Sequence, residues 1–252
     1  MPSIREQFAA ATAPQRQLAS RWHFAGYLAI MAILIRAGFI SQRIASSSAS
    51  AGSSGQLIDH TQAIRSYFIS IAANILITYY CWVGVHWRGG TLTDLTGGRW
   101  KTWKSVAVDV AIAIPFWLVW EAAAWAVVSL LALLGPDEAS SVAGMLPKSP
   151  LEVLLWIAVS VVAGLCEEIQ SRGYLQKQLH ALSGSIVVAV LVQGAIFGLM
   201  HSYQGWKKII VIAVLGVLYG TLAAWRRNLR ANMLAHAWSD VWNGWLRMLI
   251  WP

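Results

Sequence analysis

Two adjacent glutamates and an arginine stand where an apolar run ends: VLLWIAVSVVA is followed directly by GLCEEIQSRGYLQ. On a helix, Glu168 and Arg172 lie four residues apart on one face, in the favourable order for an ion pair. Glu167 points about 100° away, toward uncharged neighbours. We therefore expect Arg172 to neutralise Glu168 and to leave Glu167 unpaired, as a general base requires. The structural alternative is an ion-pair cluster that only ends a helix at the membrane surface.

Two later segments each add a histidine. In FGLMHSYQGW, His201 ends an apolar run. In NMLAHAWSDVW, His236 and Asp240 are four residues apart, and Asn232 lies one turn before His236. Taken singly, His201 could be a hydrogen-bonded core residue, and His236 could be a histidine that a carboxylate orients. Together with Glu167 they form a set able to activate water and to stabilise negative charge.

The elements that carry these residues are long apolar segments. A helix needs about 20 apolar residues to cross a bilayer, and about seven segments satisfy that rule. They are Trp22–Ile40, Tyr67–Val85, Val106–Leu134, Leu151–Leu165, Ile186–His201, Ile209–Trp225 and Met233–Trp251. Pro115 offers a kink in the third segment, which is long enough to hide an eighth span or a re-entrant piece. The predicted fold is an all-α polytopic transmembrane bundle of about seven or eight helices.

The composition supports a membrane protein. Hydrophobic residues make up 57% of the 252 residues and charged residues only 12%, about half the share found in soluble domains. The net charge of +8 and the fifteen tryptophans fit cytoplasmic loops and membrane interfaces, because the basic residues lie in short clusters between apolar runs. We therefore predict one integral membrane domain over residues 1–252, in contact with the lipid bilayer, and no binding of nucleic acid.

Loop composition and charge set the expected topology. Residues 41–65 are rich in serine, glycine and alanine, and residues 135–150 are rich in turn formers, so both are predicted to be flexible loops. With the N-terminus in the cytoplasm, twelve lysines and arginines fall on the inner side and six on the outer side, the bias seen in membrane proteins. The expected location is the inner membrane of a bacterial cell.

Ionisable residues inside apolar segments are costly and normally face a bundle interior. The glutamates, histidines and aspartate above all fall in the later spans, so we predict that they share a polar, water-filled cavity. Three other charged residues, Arg36, Asp109 and Glu121, also lie within predicted spans. We interpret these as structural, and Glu121 is expected either to line the cavity or to pair with Arg36.

The three motifs together resemble those of a known family. EEIQSRGYLQ is similar to the Glu-Glu-x-x-x-Arg-Gly motif of the type II CAAX prenyl proteases, also called the CPBP family of intramembrane proteases. FGLMHSYQG resembles the family's Phe-x-x-x-His motif, and LAHAWSDVW resembles its His-x-x-x-Asn/Asp motif. The resemblance covers residues 151–241, the family-like catalytic core, and the first 150 residues carry no such signature.

The resemblance implies a helical membrane fold with a catalytic cavity and hydrolysis of peptide bonds in a peptide or membrane-protein substrate. By position, Glu167 and His201 would activate the attacking water, and His236 with Asp240 would stabilise the oxyanion. Glu168 and Arg172 would support the site. Asp240 stands where the family frequently has asparagine, and a carboxylate repels an oxyanion. We therefore expect Asp240 to orient His236 instead.

Two alternatives remain open from the sequence. Two histidines and a glutamate could bind catalytic zinc, although the compact His-Glu-x-x-His pattern is absent; the preferred mechanism uses no cofactor and neither cysteine. The second alternative is a non-catalytic membrane scaffold or a bacteriocin-immunity-type module that uses the same pocket. Loss of Glu167 would leave the phenotype of such a module intact.

Overall fold

The computed structural model describes residues 16–50, 60–135 and 145–246, and every regular element within them is helical. The α-helices are α1 Arg21–Ser50, α2 His60–His86, α3 Leu92–Thr96, α4 Trp103–Ala132, α5 Pro150–Glu168, α6 Lys177–Ser183, α7 Ile186–Met200, α8 Trp206–Arg226 and α9 Arg230–Val241. A π-helix, Ile169–Gln176, joins α5 to α6, a 3-10 turn spans Ser202–Gln204, and a π-turn spans Trp242–Leu246. The predicted all-α fold is confirmed.

Five helical segments of the described residues are long and apolar enough to cross a membrane. They are Arg21–Ser47, His60–His86, Trp103–Ala132, Pro150–Ser183 and Trp206–Arg226. The predicted span Ile186–His201 coincides with α7, whose 15 residues are fewer than a bilayer crossing requires. The predicted span Met233–Trp251 begins in α9 and continues into Trp242–Leu246, and its residues 247–251 lie outside the described residues. Helix α4 continues through Pro115 without interruption, so the third apolar run forms one long helix and not two.

Capping residues set where the helices around the site begin. Ser149 accepts a hydrogen bond from the backbone N–H of Glu152 at 3.3 Å, and Pro150 occupies the first turn of α5. Proline suits this position because its missing N–H would have no helical partner there. Ser185 caps α7 in the same way through the N–H of Val188. These caps fix the starts of the helices that end in Glu168 and lead into His201.

Helices α7 and α8 pack with their backbones almost in contact. A Cβ added at Gly216 would lie 2.9 Å from the Cα of Gly194, and one added at Gly198 would lie 2.4 Å from the carbonyl oxygen of Ile209. Small residues allow membrane helices to approach this closely. The close crossing holds the end of α7, where His201 begins the next turn, against the start of α8.

Residues 41–50 and 60–65 of the predicted loop 41–65 are helical, contrary to the expectation. Helix α1 continues to Ser50 and α2 begins at His60, so only residues 51–59 of this stretch lie outside the described residues. The error has a physical cause: alanine is the best helix former and serine is tolerated, so a long apolar helix extends through them. Of the second predicted loop, residues 136–144 lie outside the described residues and Pro150 already belongs to α5.

Candidate active site

A fully buried carboxylate, Glu168, holds the candidate site together. Its Oε1 accepts hydrogen bonds from Arg172 Nη1 and from His236 Nδ1, each at 2.9 Å. Its Oε2 accepts from Asn232 Nδ2 at 3.1 Å. The ion pair between Glu168 and Arg172 that the spacing predicts is therefore present, and the same carboxylate also ties α5 to α9.

Close packing makes this tie possible. A Cβ added at Gly164 would lie 2.6 Å from the backbone nitrogen of Ala237, so the backbones of α5 and α9 touch one turn before the glutamates. Any side chain at Gly164 would push the two helices apart. The glycine thus lets α9 bring His236 within hydrogen-bond distance of Glu168.

Arg172 is almost fully buried. Its Nη2 donates to the carbonyl oxygen of Gly216 at 3.2 Å, and its guanidinium lies 4.2 Å from the ring centre of Phe197 and 5.2 Å from that of Tyr219. A buried ion pair survives only where further hydrogen bonds and good geometry offset the loss of hydration. The carbonyl group and the aromatic faces supply this support, so Glu168 and Arg172 form a fixed frame.

The imidazole of His236 has two different sides. A carboxylate can only accept, so Nδ1 carries a proton and donates to Glu168. On the other side, Nε2 lies 3.9 Å from Glu167 Oε2 and 3.8 Å from Asp240 Oδ2, beyond direct hydrogen bonding. Glu168, and not Asp240 as expected, therefore orients the ring, because the closer carboxylate forms the short hydrogen bond.

His201 stands at the end of α7 with its ring fixed. Its Nδ1 lies 2.8 Å from the carbonyl oxygen of Phe197, which can only accept, so this nitrogen carries the proton. The neutral ring then has Nε2 available as an acceptor. The Phe197 ring centre lies 4.9 Å from that of His201 and 6.0 Å from that of His236, so one phenyl ring separates the two imidazoles.

Two cavities meet at this phenyl ring. The first has a volume of about 390 Å³ and is lined by Glu167, His201 and Tyr203, among others. The second, of about 420 Å³, is lined by His201, His236 and Asp240. Phe197 and His201 line both. The structure thus places the four predicted catalytic side chains along one pair of adjoining cavities large enough for water.

Glu121 lines the second cavity, as one of the two sequence expectations proposed. Its partner is not Arg36, however: Glu121 Oε1 accepts a hydrogen bond from Asn243 Nδ2 at 3.0 Å. Asn243 lies in the π-turn after α9, and its Nδ2 also lies 3.0 Å from the carbonyl oxygen of Ser239. Glu121 therefore adds a second carboxylate to the wall that carries Asp240.

Tyr203 adds a neutral phenol to the first cavity. Loss of hydration raises the pKa of Tyr203 to about 12. The amide of Gln204 donates to the phenol oxygen at 3.2 Å and opposes this shift, whereas the negative charges of Glu167 and Asp240 add to it. The phenol therefore keeps its proton at neutral pH. Its ring centre lies 5.9 Å from that of His201.

Two polar residues of the site were not assigned a role from the sequence. Asn232 joins Glu168 to the carbonyl oxygen of Tyr219, at 3.1 and 2.8 Å. Gln170 Nε2 donates to the carbonyl oxygen of Asn74 and to Thr78 Oγ1, each at 3.0 Å, and so ties the segment after the glutamates to α2. Asn232 had a local signal, one turn before His236; the partners of Gln170 lie about 90 residues away, which no spacing rule reveals.

The zinc alternative depends on a cluster of ligands. Within residues 16–50, 60–135 and 145–246, no three histidine, cysteine, aspartate or glutamate side chains form an arrangement that could hold a metal ion. Both ring nitrogens of His236 face carboxylates, and Nδ1 of His201 faces a backbone carbonyl.

Comparison with known proteins supports the resemblance of the motifs. Residues 149–242 match the family described as type II CAAX prenyl endopeptidase Rce1-like. The matched segment is a little over a third of the chain, runs from the cap of α5 to the end of α9, and contains every residue that the three sequence motifs assign to the site. No curated protein and no solved structure matches the chain.

Proposed function

We propose that this protein is an intramembrane endopeptidase that hydrolyses peptide bonds with a water molecule activated by Glu167 and His201. The observation that carries the proposal is the contrast between the two neighbouring glutamates. Glu168 accepts hydrogen bonds from three side chains. By contrast, the side chain of Glu167 is 22% exposed and faces His236 without a direct hydrogen bond. The family match over residues 149–242 supports the same class of reaction.

In the proposed first step, a water molecule in the first cavity donates one hydrogen bond to Glu167 and the other to His201 Nε2. Glu167 takes a proton as the oxygen attacks the scissile carbonyl carbon. The C–N bond then breaks, and the proton held by Glu167 passes to the leaving amine. Atoms and charges balance without a covalent enzyme intermediate, so neither Cys81 nor Cys166 takes part.

His236 is the proposed donor to the oxyanion. Glu168 fixes Nδ1, so a ring protonated on both nitrogens directs its Nε2–H toward the cavity. A donor held in advance by a buried frame needs little rearrangement during the reaction, which is the basis of oxyanion stabilisation. Asp240, 3.8 Å from the same nitrogen, balances the charge of the imidazolium in this scheme.

We further propose that the N-terminus lies in the cytoplasm of a bacterial cell and that the protein spans the inner membrane. The structure brings several predicted inner segments together: Arg16 donates to the carbonyl oxygen of Arg88, and Arg230 to that of Arg99. A single end of a helix bundle rich in arginine and lysine is typical of the cytoplasmic side. The substrate is then a peptide or membrane protein that reaches the cavities from the membrane or from this side.

Comparison of membrane proteomes tests the proposal even before a substrate has been identified. New protein termini are mapped in cells that carry the wild-type chain, the Glu167→Gln chain or the His201→Ala chain at equal abundance. We expect a set of termini that only the wild type produces. Identical termini in all three strains would overturn the assignment and would favour the scaffold alternative.

A further inference from the structure

A third polar cavity lies outside the proposed reaction path. It has a volume of about 320 Å³, and its polar wall includes Arg172, Gln176, Lys177, His180, Arg227 and Asn228. Of the proposed site residues only Arg172 lines it, and Arg172 already pairs with Glu168. The proposed hydrolysis therefore gives this cavity no role, although, with Asp94, seven of its twelve lining residues are polar or charged.

Three of these side chains carry buried polar atoms without a hydrogen-bond partner in the described part of the chain. The atoms are Arg172 Nε, Gln176 Oε1 and His180 Nε2. The three residues are only 1%, 3% and 1% exposed. Burying an unsatisfied donor or acceptor costs about 1–3 kcal/mol, and native proteins rarely tolerate several together. The three atoms have almost no accessible surface, so they lie behind the cavity wall and make the surroundings of the cavity polar.

The charge of the wall sets the sign of that ligand. Lys177 Nζ donates to the carbonyl oxygens of Asp94 and Leu95 at 2.7 and 3.1 Å, and an ammonium has a third hydrogen to offer. The carboxylate of Asp94 accepts from the backbone N–H and the hydroxyl of Thr91, so it is engaged in a helix cap. With Arg227 also in the wall, the cavity favours an anion.

The position of the cavity indicates where the anion comes from. It opens at the end of the bundle where basic segments meet, beside the contact between the N–H of Leu229 and the carbonyl oxygen of Thr96 at 2.9 Å. Apart from Asp94, the rest of its wall is apolar: Leu18, Ile186, Ala223, Ala224 and Leu229. Basic pockets between membrane helices on the cytoplasmic side bind the headgroups of anionic lipids.

We infer that this cavity binds the phosphate group of an anionic phospholipid. The phosphate oxygens accept from the ammonium of Lys177 and from the guanidinium of Arg227, the two cationic side chains of the wall that lie outside the proposed catalytic site. The acyl chains leave along the apolar wall. The inference does not depend on the peptidase activity, because it concerns binding alone.

The test measures lipid binding to the purified full-length chain. The chain is reconstituted in nanodiscs of phosphatidylcholine, with or without phosphatidylglycerol, and its Tm is recorded. A ligand that binds only the folded state raises Tm, so we expect phosphatidylglycerol to raise it. Lys177→Gln and Arg227→Gln should each weaken the apparent affinity by about tenfold, because each removes a charge-assisted hydrogen bond. Because two variants are measured, the test still gives a result if one of them fails to fold.

The matched control is Lys104→Gln, which removes an exposed positive charge at the start of α4, on the same predicted side of the membrane. It should respond to phosphatidylglycerol as the wild type does. Equal weakening in Lys104→Gln and the two cavity variants would mean general charge attraction and would overturn the site. Inorganic phosphate is also added to the phosphatidylcholine nanodiscs. If it raised Tm as much as phosphatidylglycerol does, and phosphatidylglycerol gave no further rise, the lipid would be overturned as the source of the phosphate.

Discussion

Among the residues that the structure describes, two buried carboxylates have arginine partners, and they serve different purposes. Asp109 is fully buried and accepts from Arg226 at 2.9 Å, from Arg230 at 2.7 Å and from Trp100 Nε1 at 2.9 Å. Glu168 is equally buried and also accepts three side-chain hydrogen bonds. By burial and pairing alone, the two carboxylates cannot be told apart.

The difference lies in what the partners can do next. The partners of Asp109 are two guanidinium groups and an indole, which do not exchange protons near neutral pH. One partner of Glu168 is the imidazole of His236, whose second nitrogen faces Glu167 and Asp240 across the cavities. The comparison indicates that a buried carboxylate with all its hydrogen bonds made, such as Glu168, holds the site in place. Proton transfer needs a second carboxylate beside it that is not fully paired, such as Glu167.

The largest expected effect comes from removing each of the two buried carboxylates, Glu168 and Asp109, in turn. Glu168→Ala leaves Arg172 buried and unpaired, which costs about 3–5 kcal/mol of unfolding free energy, and it also frees His236. We expect strong loss of both stability and activity. Asp109→Ala should lower stability less, because the side chains of its two arginines are 21% and 18% exposed and can reach water.

The measurement is Tm together with the cleavage rate per folded molecule. The comparison predicts that folded Asp109→Ala protein cleaves at the wild-type rate, whereas folded Glu168→Ala protein does not. If both variants kept the wild-type rate per folded molecule, Glu168 would be a structural residue of the same kind as Asp109.

Removing the proposed oxyanion donor is the next effect in size. His236→Ala should lower kcat by about 10²–10³-fold, the usual loss for such a donor. The control is His86→Ala, which removes an exposed histidine that stacks on Trp82 with ring centres 5.0 Å apart. A kcat for His236→Ala equal to that of the control would remove His236 from the mechanism.

A smaller effect is expected from Asp240→Asn, which introduces the residue that the resembling family frequently has. Asp240 balances the charge of the His236 imidazolium from 3.8 Å, so its loss weakens the oxyanion donor and kcat should fall by about tenfold or less. Steady-state kinetics on a cleaved peptide measure it. A large fall in kcat would show instead that Asp240 takes part in proton transfer.

The smallest expected effect is that of a metal chelator. The proposed water activation uses a carboxylate and an imidazole, so incubation with a strong chelator should leave the cleavage rate unchanged. Loss of activity that returns on addition of Zn²⁺ would favour the zinc alternative, in which Glu167 and the histidines act as ligands.

Local spacing accounts for the parts of the site that could be predicted. Glu168 and Arg172 pair because residues four apart on a helix are neighbours, and the ion pair follows from the sequence alone. The helices themselves follow from the apolar runs. Even so, residues 41–50 extend α1 although their composition suggested a loop, because serine and alanine do not end a helix by themselves.

Contacts distant in sequence account for what could not be predicted. The hydrogen bond between His236 and Glu168 joins residues 68 positions apart, and it replaced the expected local contact between His236 and Asp240. The partners of Asp109 lie 117 and 121 positions away. Such contacts depend on which helices pack together, and that packing rests on small features such as Gly164, which no periodic pattern identifies.

The most direct test of the central claim is the cleavage rate of purified Glu167→Gln protein, compared with the wild type and with Glu121→Gln. The substitution keeps the size of the side chain and removes its ability to take a proton. General-base catalysis contributes about 10²–10⁴-fold, so we predict a loss of that size in kcat with an unchanged Tm, while Glu121→Gln stays close to the wild type. A wild-type rate in folded Glu167→Gln protein would contradict the account.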